Sequence, residues 1–100
     1  MEENVNFIKQ FESLGLIVKS AKYYPTPDKQ TTDALDLVFS EGKLYIGFDF
    51  GGDEETYIYV SIMVNNQKPE FLKYTTTYYD KNFEKNMVKK IVGIIKELSQ

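Results

Sequence analysis

The chain lacks cysteine, histidine, arginine and tryptophan. Without cysteine it forms no disulfide and offers no thiolate nucleophile or thiolate metal ligand, which fits a reducing cytoplasm. Without histidine, serine–histidine triads, histidine general bases and nearly all zinc sites are excluded within this chain. All 12 basic residues are lysines, so bidentate recognition of phosphate, carboxylate or guanine has no donor. We therefore expect a protein that is not an enzyme and that needs no metal or cofactor.

Long apolar runs are also missing. Charged residues interrupt every hydrophobic stretch, so none approaches the roughly 18 residues of a membrane-spanning helix. The acidic start Met1-Glu2-Glu3-Asn4 leads directly into a helical pattern and is unlike a secretory signal. The 100 residues, 42% of them hydrophobic, suffice for one core and are too few for two. We expect a single cytoplasmic domain over residues 1–100, without membrane contact.

Three segments between Leu35 and Val64 alternate with a period of two, which is typical of strands with one buried face. One phase is apolar and consists of Leu35, Leu37, Phe39, Leu44, Ile46, Phe48, Phe50, Ile58, Val60, Ile62 and Val64. The other phase is rich in tyrosine and acid and consists of Asp36, Val38, Tyr45, Gly47, Asp49, Tyr57, Tyr59, Ser61 and Met63. This pattern predicts a sheet with one face in the core.

Turn residues between these segments predict how the strands pair. A two-residue turn at Glu41-Gly42 and a longer one over residues 51–55 both bring apolar residues opposite apolar residues, which a slip of one residue would destroy. The predicted opposite pairs are Phe39–Leu44, Leu37–Ile46 and Leu35–Phe48 in the first hairpin, and Phe48–Ile58, Asp49–Tyr57 and Gly47–Tyr59 in the second.

Helical spacing marks both ends of the chain. Apolar residues recur at helical intervals from about Val5 to Leu14, where Gly15 is suited to end the helix. After Asp80, a residue suited to cap a helix, an apolar stripe from Phe83 to Leu98 covers about half of the helix circumference. Such a stripe is best buried lengthwise across a sheet.

Two further strands complete the prediction, at about residues 16–24 and 71–78. In the second of these the buried face is ambiguous, because Phe71 lies in one phase and Leu72 and Tyr74 in the other. The expected fold class is α+β, with an antiparallel sheet of about five strands, an N-terminal helix and a long C-terminal helix packed on the apolar face.

Charge is unevenly distributed along the chain, whose net charge is −3. Residues 28–55 hold eight acids and two lysines, a net charge of −6, whereas the last twenty residues hold five lysines and two acids, a net charge of +3. An acidic sheet attracts basic partners and repels nucleic acid. The lysines of the last helix, without arginine or interleaved aromatics, indicate a solvated face. We expect no direct binding of nucleic acid.

The face of the sheet away from the core is the candidate site for a partner protein. Tyrosine is enriched at interfaces because it offers a large amphipathic area at low entropic cost, although it is also an ordinary strand former. The ring of Tyr59 is expected to cover the gap left by Gly47 on the neighbouring strand. Residues 25–33 or the first helix could instead cover this face. The predicted partner-binding residues are Asp36, Tyr45, Asp49, Asp53, Glu54, Glu55, Tyr57 and Tyr59.

The acidic turn offers an alternative. Gly51-Gly52-Asp53-Glu54 lies between two predicted strands and resembles the signature hairpin of diguanylate cyclases, in which acids beside a turn hold a divalent cation near a phosphate. Glu55 departs from the family's motif, and the family's domain is longer than this chain. Spacing of the calcium-loop type is absent. Since turns favour glycine and aspartate for backbone reasons, solvated loop acids are the simpler interpretation.

These observations predict a non-enzymatic binding or inhibitor protein, an immunity protein or antitoxin that masks a basic toxin or nuclease. A phage or mobile-element inhibitor that mimics the charge of nucleic acid, like an anti-CRISPR protein, is the first alternative. A small enzyme domain dependent on a divalent metal is the second. The β-prone run from Thr75 to Tyr79 also allows a homodimer through an edge strand.

Overall fold

The computed structural model describes residues 2–25, 32–50 and 55–100. It confirms the α+β class, with an N-terminal helix, one five-stranded antiparallel sheet in the order β1-β2-β3-β4-β5, and a long C-terminal helix. The elements are α1 (Glu2–Ser13), β1 (Val18–Pro25), β2 (Thr32–Phe39), β3 (Gly42–Phe50), β4 (Thr56–Val64), β5 (Glu70–Thr76) and α2 (Lys81–Leu98).

The start of α2 and the end of α1 fall where the sequence supplies the required residues, whereas α1 begins at Glu2, before the predicted start at about Val5. The carboxylate of Asp80 accepts a hydrogen bond from the backbone N–H of Phe83 at 2.8 Å, which satisfies one of the free donors at the start of α2. After α1, Gly15 has φ +100°, a left-handed conformation that only glycine adopts without strain. The predicted cap and the predicted stop are both confirmed.

The core lies between the helices and one face of the sheet. The predicted apolar stripe of α2 supplies Met87, Val88, Ile91, Val92 and Ile95, all of them buried. Burying each such side chain stabilises the fold by about 1.5–3 kcal/mol relative to exposure. The buried apolar residues of β2, β3 and β4 are Leu35, Leu37, Phe39, Leu44, Ile46, Ile58, Val60, Ile62 and Val64, which all belong to the predicted apolar phase.

A polar bridge joins the two helices at the edge of the core. The Tyr79 hydroxyl donates to Glu84 Oε2, and Gln10 Nε2 of α1 donates to Glu84 Oε1, each at 2.6 Å. Burial raises the pKa of the Tyr79 hydroxyl well above its usual value, and the hydrogen bond and charge of Glu84 raise it further. Tyr79 is therefore a neutral donor that anchors the start of α2.

The register of β3 and β4 is as predicted, with Phe48 opposite Ile58, Asp49 opposite Tyr57 and Gly47 opposite Tyr59. The register of β2 and β3 differs from the prediction by two residues.

The turn lies at Ser40-Glu41 rather than at Glu41-Gly42. Leu37 consequently lies opposite Leu44, and Leu35 opposite Ile46. A shift of two residues leaves every side chain on its predicted face, since side chains alternate with a period of two. The error in register therefore left the prediction of the two faces intact.

The described segments contain no helix long and apolar enough to cross a membrane.

Candidate functional site: the outer face of the sheet

The candidate site is the face of the sheet that points away from α1 and α2, called the outer face below. The strand registers place its residues in rows that cross the sheet. One row runs through all five strands as Lys22, Asp36, Tyr45, Ser61 and Phe71. The next row runs as Tyr24, Ala34, Gly47, Tyr59 and Lys73. Two of the predicted partner-binding residues, Asp36 and Tyr45, are thus direct cross-strand neighbours.

No described residue covers the centre of the outer face. Tyr45 is 42% exposed and Tyr59 is 45% exposed, while Asp36 and Asp49 are also exposed. The first helix, one of the two candidates for covering this face, packs on the opposite side with Phe7 and Phe11 in the core. The other candidate, residues 25–33, falls mostly outside the described residues, as do Asp53 and Glu54.

A shallow groove crosses β3, β4 and β5 on the outer face. It encloses about 320 Å³ and is lined in part by Tyr45, Tyr59, Ser61, Phe71 and Lys73. Phe71 is 73% exposed, which is exceeded among the described large apolar side chains only by Tyr78. The sequence left its face ambiguous, and the pairing with β4 resolves it, because Leu72 lies opposite Val60 on the core side.

The ring nearest to Gly47 is that of Tyr45, whereas the sequence predicted that Tyr59 covers this position. A Cβ atom at position 47 would lie 2.7 Å from the Tyr45 hydroxyl oxygen and 3.1 Å from Cε2 and Cζ of the same ring. Tyr45 lies two residues before Gly47 on the same strand, so its side chain leans along β3 over the glycine. The missing side chain at position 47 thereby fixes where the Tyr45 ring rests in the groove.

Tyr57 and Tyr59 are held by neighbours on this face. The Tyr57 hydroxyl donates to Glu55 Oε2 at 2.6 Å, which brings together two predicted site residues at the hairpin end of the sheet. The ammonium of Lys73 lies 5.8 Å from the centre of the Tyr57 ring and 5.7 Å from that of Tyr59. These are cation–π distances, and they orient both rings.

Tyr24 extends the aromatic surface to the other edge. Its hydroxyl donates to Asp36 Oδ2 at 2.9 Å, and the Lys22 ammonium lies 5.1 Å from the centre of its ring. Tyr24, Phe71 and Lys73 were not among the predicted site residues. The sequence does contain a signal for Tyr24. Tyr23 packs against the core, and because side chains alternate along a strand, its neighbour Tyr24 lies on the outer face.

The charge of the outer face is mixed. Its described strand residues include Lys22, Lys43 and Lys73 beside Asp36 and Asp49, so the face is not a uniformly acidic surface. Acid is concentrated at the hairpin end, where Asp49 is near the end of β3 and Glu55 directly precedes β4. Within residues 2–25, 32–50 and 55–100, no three acidic side chains are grouped closely enough to hold a metal ion.

The threonine-rich run is both paired and at an edge. Thr75 and Thr76 belong to β5, which pairs with β4 on one side and is the last strand of the sheet on the other. The strand ends in a local turn, in which the Thr76 side chain contacts the backbone N–H and carbonyl of Tyr78. The remainder of the run, through Tyr79, leads into α2.

No protein-family model matches the chain. No curated protein and no solved structure matches it either.

Proposed function

We propose that the protein is a non-enzymatic binding protein that masks a partner protein through the outer face, in the manner of an immunity protein or antitoxin. The observation that carries the proposal is the open aromatic groove formed by Tyr45, Tyr59 and Phe71. The partner is a basic protein, such as a toxin with nuclease activity, and the complex forms in the cytoplasm.

Aromatic side chains at the centre of an interface supply much of its binding free energy. Tyrosine and tryptophan dominate such hot spots because they remove a large area from water and lose few rotatable bonds. A phenylalanine that moves from water to a packed interface contributes about 1.5–3 kcal/mol. Phe71 has most of this gain still available, since 73% of its surface is exposed.

The outer face is also preorganised for binding. Its aromatic residues project from hydrogen-bonded strands rather than from loops, and the rings of Tyr45, Tyr57 and Tyr59 already have contacts that orient them. A surface that is ordered before binding avoids about 0.5–1.5 kcal/mol of entropy cost per side chain. This supports docking on a fixed surface.

Charge supports a basic partner at the hairpin end of the outer face. Asp49 and Glu55 lie on either side of residues 50–54, whose sequence adds Asp53 and Glu54. Acids at the rim of an interface raise the rate of association with a basic protein and make that rate sensitive to salt. Because lysines lie among the strand residues of the outer face, this attraction is restricted to the hairpin end. We therefore assign the binding affinity to the aromatic groove and the faster association to the acids.

The test is affinity purification of the partner, followed by titration of the purified partner with variants of the outer face. Tyr59→Ala should weaken binding by about tenfold or more, as truncation of a central tyrosine does. Tyr78→Ala is the matched control, since Tyr78 is 74% exposed but lies beyond the end of β5. Affinity of the Tyr59→Ala variant within about threefold of the native value rejects the outer face as the binding site.

Asp49→Asn tests the steering role separately. It should lower the association rate at low salt and leave the dissociation rate nearly unchanged.

Competition with DNA provides a further test if the purified partner also binds DNA. If DNA and this protein compete for one site on the partner, the protein acts as a charge mimic, as an inhibitor from a mobile element would. If they bind together, it masks a different surface.

A further inference from the structure

The two edges of the sheet differ in how well they are protected. Among the described residues, the order β1-β2-β3-β4-β5 leaves β1 and β5 with one unpaired side each. An unpaired strand edge presents free backbone N–H and C=O groups that pair readily with another strand. Proteins protect such edges with bulges, prolines and lysines.

The β1 edge carries these protective features. Its pairing with β2 is irregular between Val18 and Ser20 and again between Tyr24 and Pro25. Lys19, at the first irregularity, is exposed, and so is Lys22. Pro25 has no backbone N–H to donate. These features interrupt the row of donors and acceptors that another strand would need.

The β5 edge is more regular. β5 pairs with β4 from Glu70 to Thr76 without a register shift, which is typical of a straight and regular strand. It contains no proline and one lysine, Lys73, whereas β1 contains two lysines and Pro25. It also carries Phe71, whose side chain is exposed at the border of the sheet. The strand is therefore ready to continue the sheet by one more antiparallel neighbour.

We propose that two copies of this chain associate through β5, with the two β5 strands antiparallel and a twofold axis at Leu72. Each five-stranded sheet then continues into the other, and the joined sheet ends at the two β1 strands. Such a twofold contact closes on itself, because each copy uses the same strand. An unrelated strand added to β5 would leave its own outer edge unpaired. A second copy instead pairs the two β5 edges with each other and leaves only the two β1 edges exposed.

The sequence of β5 favours this register over the neighbouring one. With the axis at Leu72, Phe71 of each copy lies opposite Lys73 of the other copy, and the two Leu72 residues lie opposite each other. An ammonium beside an aromatic ring is a favourable cross-strand pair. With the axis at Lys73, the two lysines would lie directly opposite each other, and like charges in that position are destabilising.

The dimer shares Phe71 and Lys73 with the aromatic groove of the proposed function and leaves Tyr45 and Tyr59 free. Two outer faces then lie side by side in one continuous sheet. A Tyr59→Ala variant that loses the partner but still dimerises, or a native chain that is monomeric by light scattering and still binds the partner, separates the two proposals.

A single introduced cysteine tests the register, since the native chain has no cysteine. In the proposed dimer, Leu72→Cys places two thiols directly opposite each other and should form a disulfide-linked dimer under mild oxidation. Thr75→Cys is the matched control on the same strand. Its two thiols would be displaced by about six residues along the strands, roughly 20 Å, too far for a disulfide. Cross-linking of Leu72→Cys should be faster by about tenfold or more.

Light scattering tests the association of the native chain. The mass should rise from 11.6 kDa toward twice that value as concentration increases. Phe71→Lys places lysines opposite each other and should raise the dissociation constant by about tenfold. Adding Lys73→Glu to that variant should restore the dimer, because each introduced lysine then faces the introduced glutamate of the other copy. A native mass that stays at 11.6 kDa, or equal cross-linking of the two cysteine variants, overturns the proposal.

Discussion

Gly42 is the position at which one methyl group should damage this fold most clearly. It begins β3 and lies opposite Val64 of β4. A Cβ atom at Gly42 would overlap the Met63 carbonyl oxygen, far closer than van der Waals contact allows. It would also lie 2.9 Å from the Met63 carbonyl carbon and 3.0 Å from Cα of Val64. All three are backbone atoms, so no side-chain rotation relieves the overlap, and Gly42→Ala must push β3 away from β4.

The cost follows from what this separation breaks. The backbone N–H of Asn65 donates to the carbonyl of Glu41 at 2.8 Å beside Gly42, and this bond and one neighbouring ladder bond would be lost. Each lost hydrogen bond costs about 1 kcal/mol. Partial exposure of the buried Val64 side chain adds about another 1 kcal/mol. We expect Gly42→Ala to lower the free energy of unfolding by about 3 kcal/mol, and Tm by about 12–24 °C.

Gly93→Ala is the matched control. Gly93 is exposed on α2, and a Cβ atom there meets nothing within 4 Å. Replacing a helical glycine by alanine should raise the free energy of unfolding by about 0.8–1 kcal/mol. Both variants are measured by urea unfolding followed by circular dichroism at a helix band. If Gly42→Ala lies within about 0.5 kcal/mol of the native chain, the close approach of β3 to β4 at this position is refuted.

Two further predictions concern Tyr79 and Gly47. Because the folded chain keeps the Tyr79 proton at a pH where the unfolded chain loses it, stability should fall as the pH rises above 10.0, with this residue contributing about 1.4 kcal/mol per pH unit. Tyr79→Phe should remove this contribution when the free energy of unfolding is plotted against pH above 10.0. The same slope in the native chain and the variant would contradict the raised pKa of Tyr79. Gly47→Ala should displace the Tyr45 ring and weaken partner binding, while the free energy of unfolding changes by less than about 1 kcal/mol. Unchanged NMR signals of the Tyr45 ring would contradict this.

Alternation predicted the two faces of the sheet but not every register. A period of two distinguishes registers that differ by one residue and cannot distinguish those that differ by two. In the hairpin of β2 and β3, the predicted pair Phe39–Leu44 and the observed pair Leu37–Leu44 are both apolar. In the observed pairing Gly42 belongs to β3 and lies against Met63 and Val64 of β4, a contact outside the hairpin of β2 and β3.

Alternation also explains why only part of the candidate site was predicted from the sequence. Tyr45 and Tyr59 were recognised because their segments alternate cleanly. Phe71 was not, because it is adjacent to Leu72 and both are apolar, so β5 alone has no preferred face. The contact of Tyr74 with Phe83, with ring centres 6.0 Å apart, packs the other phase of β5 against α2 and leaves Phe71 outside. That contact joins residues on different elements and is set by tertiary packing.

The division of the sheet into a packed side and an open side has a consequence for how the protein can change over generations. The strongly buried side chains of β2, β3 and β4 all project toward the helices, and among the described residues on the opposite side of these strands only Gly47 is buried, beneath the Tyr45 ring. Replacements at solvent-exposed positions usually shift stability by less than about 0.5 kcal/mol. Phenols and carboxylates at the exposed positions of the outer face can thus be exchanged with little effect on the fold. The same freedom suits the fold to randomised libraries, in which this surface is varied and the core is left untouched.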